Sequence, residues 1–117
     1  MEHMEVELLR EQLDTGFDEA YSSRRSGKEG RARVQARILA GKAIEQYANR
    51  MMGFESPRNA WEWLVWLSEE EAFPVEIVCS AQRLTVRVTP SFTLPHPEDP
   101  LVDAKRIVDY FLNRLPG

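Results

Sequence analysis

Apolar positions along this chain change their spacing from element to element. Val6, Leu9, Leu13, Phe17 and Ala20 recur at helical intervals with acids between them, which predicts an amphipathic helix over 4–21, weakened at Gly16 and closed by Tyr21. The small, polar stretch 22–30, punctuated by Gly27 and Gly30, predicts a flexible basic loop. Val34, Ile38, Gly41, Ile44, Ala48, Met51 and Met52 then trace one arc of a long helix from about residue 30 to 52, at ~100° per residue. Ala36, Leu39, Ala40, Ala43 and Tyr47 widen that arc past half the circumference, as expected of a helix at the centre of a fold or a dimer, and Gly53 supplies its stop.

Ser56-Pro57 pairs an N-cap residue with a proline suited to the first helical position and so opens a third predicted helix, 57–68. Trp61, Leu64 and Val65 fall on one side of it and Trp63, Trp66 and Leu67 largely on the other. Next, Val75, Ile77 and Cys79 alternate with Glu76, Val78 and Ser80, and Leu84, Val86 and Val88 alternate with Thr85, Arg87 and Thr89. This period of two, rich in β-branched residues, predicts a hairpin turning near Ala81-Gln82-Arg83. Pro90, Pro95, Pro97 and Pro100 impose an extended strap, which Phe92 and Leu94 can anchor. Asp99-Pro100 repeats the cap-and-proline device and starts a last helix to about Leu115, with Leu101, Ala104, Val108, Phe111, Leu112 and Leu115 inward.

The expected fold class is therefore α+β: three helices, a two-stranded antiparallel hairpin and a C-terminal helix in one compact domain over 1–117. Met1-Glu2-His3 ahead of a second methionine has the pattern of a cloning remnant, and no function is placed on His3. A lone hairpin is marginal in water. That weakness, the nearly all-round apolar helix and the two-faced tryptophan helix together predict a homodimer.

Composition changes this picture little. With 43% hydrophobic and 29% charged residues, 117 residues can bury one core unaided. A single cysteine, Cys79, excludes an intrachain disulfide framework, and neither a membrane span nor a secretory signal is visible, so a cytoplasmic protein is expected.

Charge is more informative. Glu2, Glu5, Glu7, Glu11, Asp14, Asp18 and Glu19 make the start acidic, whereas Arg24, Arg25, Lys28, Arg31, Arg33 and Arg37 follow with only Glu29 among them. Such a block is either a nucleic-acid footprint or the complement of the acidic first helix. No helix-turn-helix or RNA-binding strand pattern accompanies it, and Arg33 and Arg37 project into the apolar arc, away from Arg31.

Catalytic chemistry finds few residues to use. His96, near Glu98 and Asp99, could suggest a metal or acid–base site, but one histidine beside surface acids is the composition of an ordinary loop, and Asp99 already caps a helix. Cys79, in phase with Val75 and Ile77, is expected inward and inert. Gly27, Gly30 and Gly41 lack the spacing of a phosphate loop. The expectation is a non-enzyme without cofactor or metal. Its leading function is a protein-interaction module, an adaptor or regulator, with Trp61, Trp63, Trp66 and Tyr110 at the partner surface. The alternative is a nucleic-acid-binding regulator using Arg24, Arg25, Lys28, Arg31, Arg33 and Arg37. No membrane partner is expected.

Overall fold

The computed structural model describes residues 2–87 and 94–116, and within them every regular element is helical. In chain order these are α1 (Glu2–Arg25), α2 (Glu29–Met51), α3 (Ala60–Ser68), α4 (Val75–Leu84) and α5 (Pro100–Leu112). The long helix α2 lies at the centre and packs against α1, α3 and α5, while α4 closes the remaining side against α3 and α5. Its wide apolar arc thus finds three partners within one chain, through Ala32, Ala36, Leu39, Ala40, Ala43, Ile44 and Ala48.

The expected α+β class is corrected to all-α, because the first predicted strand is part of α4. Ile77, Ser80, Ala81 and Leu84 are its buried residues, a spacing of three and four. Val75, which a strand would have turned inward with Ile77, is 75% exposed. Alternation over six residues fits either period when apolar side chains are dense, and a short run of β-branched residues is a weak vote once a helical face can reach a core. Cys79, expected inward, is half-buried. Val88 and Thr89 of the second expected strand, and Pro90 and Phe92 of the strap, lie outside the described residues.

The expected loop at 22–30 shrinks to a tight turn. Helix α1 runs on to Arg25, and Gly27 (φ 77°) ends it in the left-handed conformation that a Cβ resists. Gly27 N–H donates to the Arg24 carbonyl (3.0 Å) and Lys28 N–H to the Ser23 carbonyl (2.8 Å), which satisfies two of the last open carbonyls of α1. Helix α3 begins later than Ser56-Pro57 suggested. Asn59 caps it, accepting from Glu62 N–H (2.8 Å) while the Glu62 carboxylate accepts from Asn59 N–H (2.9 Å). Helix α5 starts at Asp99-Pro100 as expected, and its predicted inner residues are all buried.

Two contacts fix the relative placement of the helices. At Gly41, a Cβ would stand 2.7 Å from the Ala60 Cα, so α2 and the start of α3 cross closely only because Gly41 has no side chain. Between α4 and α5, Asp103 is 1% exposed and accepts from Ser80 Oγ (3.1 Å), Arg83 Nε (2.9 Å) and Arg83 Nη2 (2.8 Å). Arg106 Nη1 adds a longer contact at 3.3 Å. The buried carboxylate is fully used, as burial of a charge demands. No described helix is long and apolar enough to cross a membrane.

Candidate functional site

Helix α3 distributes its tryptophans unequally. Trp63 and Trp66, three residues apart, share the inward side; Trp61 falls on the opposite side. Trp63 is 1% exposed and its indole N–H donates to the Glu45 carboxylate on α2 (3.1 Å). Edge-to-face contacts join Trp63 to Phe54 and Trp66, and Trp66 in turn to Phe73. Phe73 continues the cluster to Phe111 and Tyr110. The monomer thus supplies aromatic partners for Trp63 and Trp66. Tyr110, half-buried at the far end of this cluster, lies under Arg114, whose Cζ is 3.6 Å from the ring centroid.

Trp61 instead lines a depression of about 290 Å³ between α2, α3 and the segment after α4. Arg37 holds its Cζ 5.8 Å from the Trp61 ring centroid, and Arg87 holds its own at 5.4 Å. Arg33 joins them on the wall, while Val34, Val86 and Leu94 make apolar surface beside the indole. Cation–π attraction gathers guanidinium groups that repel one another. The strain registers at Arg37: burial, and then the like charges of Arg33 and Arg87, push its guanidinium below the usual value. Among the described residues no carboxylate lines the depression or pairs with Arg33, Arg37 or Arg87.

The rest of the basic segment divides in two. Arg24 is fully engaged, giving Nε and Nη2 to Glu29 (3.0 and 2.8 Å) and Nη1 and Nη2 to Asp99 (both 2.7 Å). Arg25, Lys28 and Arg31 are exposed around the α1–α2 turn and the first turn of α2. On the acidic face of α1, Glu5 meets Arg50 (3.6 Å) and Asp14 meets Lys105 (3.6 Å). Beyond the Gly41–Ala60 contact of α2 and α3, a second depression of about 220 Å³ is lined by Lys42 and Arg58 together with Glu45, Arg58 lying over Phe54 and Trp63. Further cations thus stand before and after the Trp61 groove along α2, with Arg31 and Lys42 on a different face of that helix from Arg33 and Arg37.

Elsewhere the chemistry is sparse. His96 is largely buried, with Nδ1 3.8 Å from Glu98 Oε1 and neither ring nitrogen hydrogen-bonded among the described residues, while both carboxylate oxygens of Asp99 are held by Arg24. Among the described residues no three His, Cys, Asp or Glu side chains gather as a metal-holding group. A larger depression of about 470 Å³ between the end of α3 and α4 is bordered by Glu69, Glu70 and Glu71.

Set against protein-family models, curated proteins and solved structures, the chain matches none. Sequence reasoning missed Arg87. Its partners lie on α2 and α3, far off in sequence, and no local pattern around it signals a shared groove.

Proposed function

We propose that this chain is a non-catalytic binding module that recognises a nucleic-acid backbone through the arginine groove of α2, α3 and the segment after α4. The observation that carries the reading is the gathering of Arg37 and Arg87 on Trp61, with Arg33 on the same groove wall and no carboxylate there among the described residues. Three cations held together at that cost are relieved by an anion, and three of them in one groove suit a ligand whose charge repeats. The recognition residues are thus a revised set: Arg33 and Arg37 remain, Arg87 and Trp61 join them, and Arg24 becomes a structural tie. Arg25, Lys28 and Arg31 add exposed positive charge around the α1–α2 turn, off the groove itself. With Cys79 as its sole cysteine, the protein suits a reducing, cytoplasmic setting.

The test is titration of fluorescein-labelled oligonucleotides by anisotropy at several salt concentrations. Replacing Arg33, Arg37 and Arg87 together by alanine is expected to abolish binding while the helical circular dichroism persists. Unchanged affinity in the folded triple variant overturns the reading.

One observation favours a second reading, the protein-interaction module and homodimer. Val34 and Ile38, one turn apart on α2, are 46% and 53% exposed and offer apolar surface to another chain. Light scattering on the eluting protein distinguishes the two, since a concentration-dependent dimer lost in a Val34→Ser, Ile38→Ser variant supports self-association. A monomer at all concentrations removes the homodimer.

A further inference from the structure

A phosphate backbone alone needs only charge, yet the groove offers more. Val34, Val86 and Leu94 form an apolar floor, and Trp61 presents an indole to the same space. Among the described residues, Trp61 is the one tryptophan of α3 outside the aromatic cluster. A side chain of that size left at the surface, ringed by guanidinium groups, makes a platform for a flat, apolar ring carrying negative charge beside it. Nucleotides have that construction. In a duplex the base faces are already stacked, so only an unpaired nucleotide can present one to the floor of a concave site.

We propose that the groove takes an unpaired nucleotide of a single-stranded nucleic acid, its base against Trp61 and the apolar floor, its neighbouring phosphates on Arg33, Arg37 and Arg87. This rests on the backbone-binding reading above and adds to it the strand state of the ligand and a specific role for Trp61. The guanidinium planes of Arg37 and Arg87, already over the indole, are themselves stacking surfaces for a base. A tyrosine-phosphorylated peptide also joins a ring to a phosphate, but carries that charge at one point. The groove instead gathers three guanidinium groups around the indole, more positive charge than one phosphate neutralises.

The decisive experiment titrates the full chain with a labelled oligouridylate, with a self-complementary RNA duplex of equal length, and with a tyrosine-phosphorylated peptide as competitor. The expected result is a preference for the single strand of roughly tenfold or more. Trp61→Ala is expected to weaken single-strand binding by about five- to a hundredfold, the range for losing one stacked base, with Trp61→Phe restoring most of it. Duplex binding should be indifferent to both variants. For three phosphate contacts, log affinity should fall with log salt at a slope of about −2.

Equal affinity for the two RNAs, unchanged in Trp61→Ala, overturns the stacking role and leaves the backbone reading standing. Absence of salt-sensitive binding to either RNA overturns both. Competition by the phosphopeptide at lower concentration than by unlabelled oligouridylate also overturns both, since the ligand would then be a protein.

Discussion

Arg24 and Asp99 meet in a two-pronged ion pair, both contacts at 2.7 Å, that joins the last turn of α1 to the residue capping α5. The same Asp99 oxygen that takes Arg24 Nη2 also accepts from Leu101 N–H at 2.9 Å, so one carboxylate starts a helix and anchors another. Hydrogen bonding from Arg24 is the main cause that holds the Asp99 carboxyl below its usual value, against the opposing effect of burial. The folded state therefore binds this proton less readily than the unfolded chain does. Stability from the pair is fully present above the ordinary carboxylate range and is lost as pH falls through the depressed folded value. Asp99→Asn should lower the melting temperature near neutral pH by a few degrees, for a loss of about 1 kcal/mol at a partly exposed site, and should flatten the acid limb of the stability curve. Thermal melts from acid to neutral pH check both effects.

The buried Asp103 network predicts a larger loss. Asp103→Ala removes the acceptor for Ser80, Arg83 and Arg106 at the α4–α5 contact and should cost about 3 kcal/mol, since Arg83 keeps some access to water. A second variant, Asp103→Leu with Arg83→Met, should recover part of that loss, because removing both charges ends the desolvation cost. Urea unfolding of the two variants decides the matter. Equal losses would mean the network owes nothing to charge.

Glycines on α2 should respond oppositely to alanine. Gly41→Ala places a methyl against the Ala60 backbone, where no flexible side chain can yield, and should destabilise by about 1–3 kcal/mol while prising α3 from α2. Trp63 and Trp61 ride on α3, so their fluorescence should change with it. Gly30→Ala meets nothing nearer than Arg33 Nη2 at 3.6 Å and should gain a few tenths of a kcal/mol from reduced freedom of the unfolded chain. Chemical denaturation of both variants provides the comparison.

The tryptophans of α3 should separate folding from binding. Trp63→Ala leaves a cavity in the aromatic cluster and orphans the Glu45 contact, costing about 3–5 kcal/mol. Trp61→Phe should change stability by less than about 1 kcal/mol, because that side chain is only half-buried at the groove. Melting curves for the two variants test this contrast. A large loss in Trp61→Phe would assign the groove indole to the core.

Much of the helical architecture was legible in the residues themselves. The inner face of α5, the apolar stripe of α1 and the breadth of α2's apolar arc follow from spacing alone, and Asp99-Pro100 marks a helix start within a single turn. Those signals are local: a cap, a proline or a stripe acts over a few residues whatever surrounds it. The stretch from Val75 was different. Its apolar residues satisfy both periods, so the choice fell to which face the neighbours could bury, and α3 and α5 offered a surface for Ile77, Ala81 and Leu84 at helical spacing.

The candidate site lay further still from the sequence. By itself the chain determined that its middle would be basic and that Trp61 would oppose Trp63 and Trp66 on one helix. Which bases would be paired depended on residues far along the chain: Asp99 joins the neighbouring Glu29 in taking Arg24, whereas Arg33 and Arg37 meet Arg87 and an indole instead. Tertiary structure alone decided that division, because Coulomb attraction and stacking act across space and carry no trace in the order of residues.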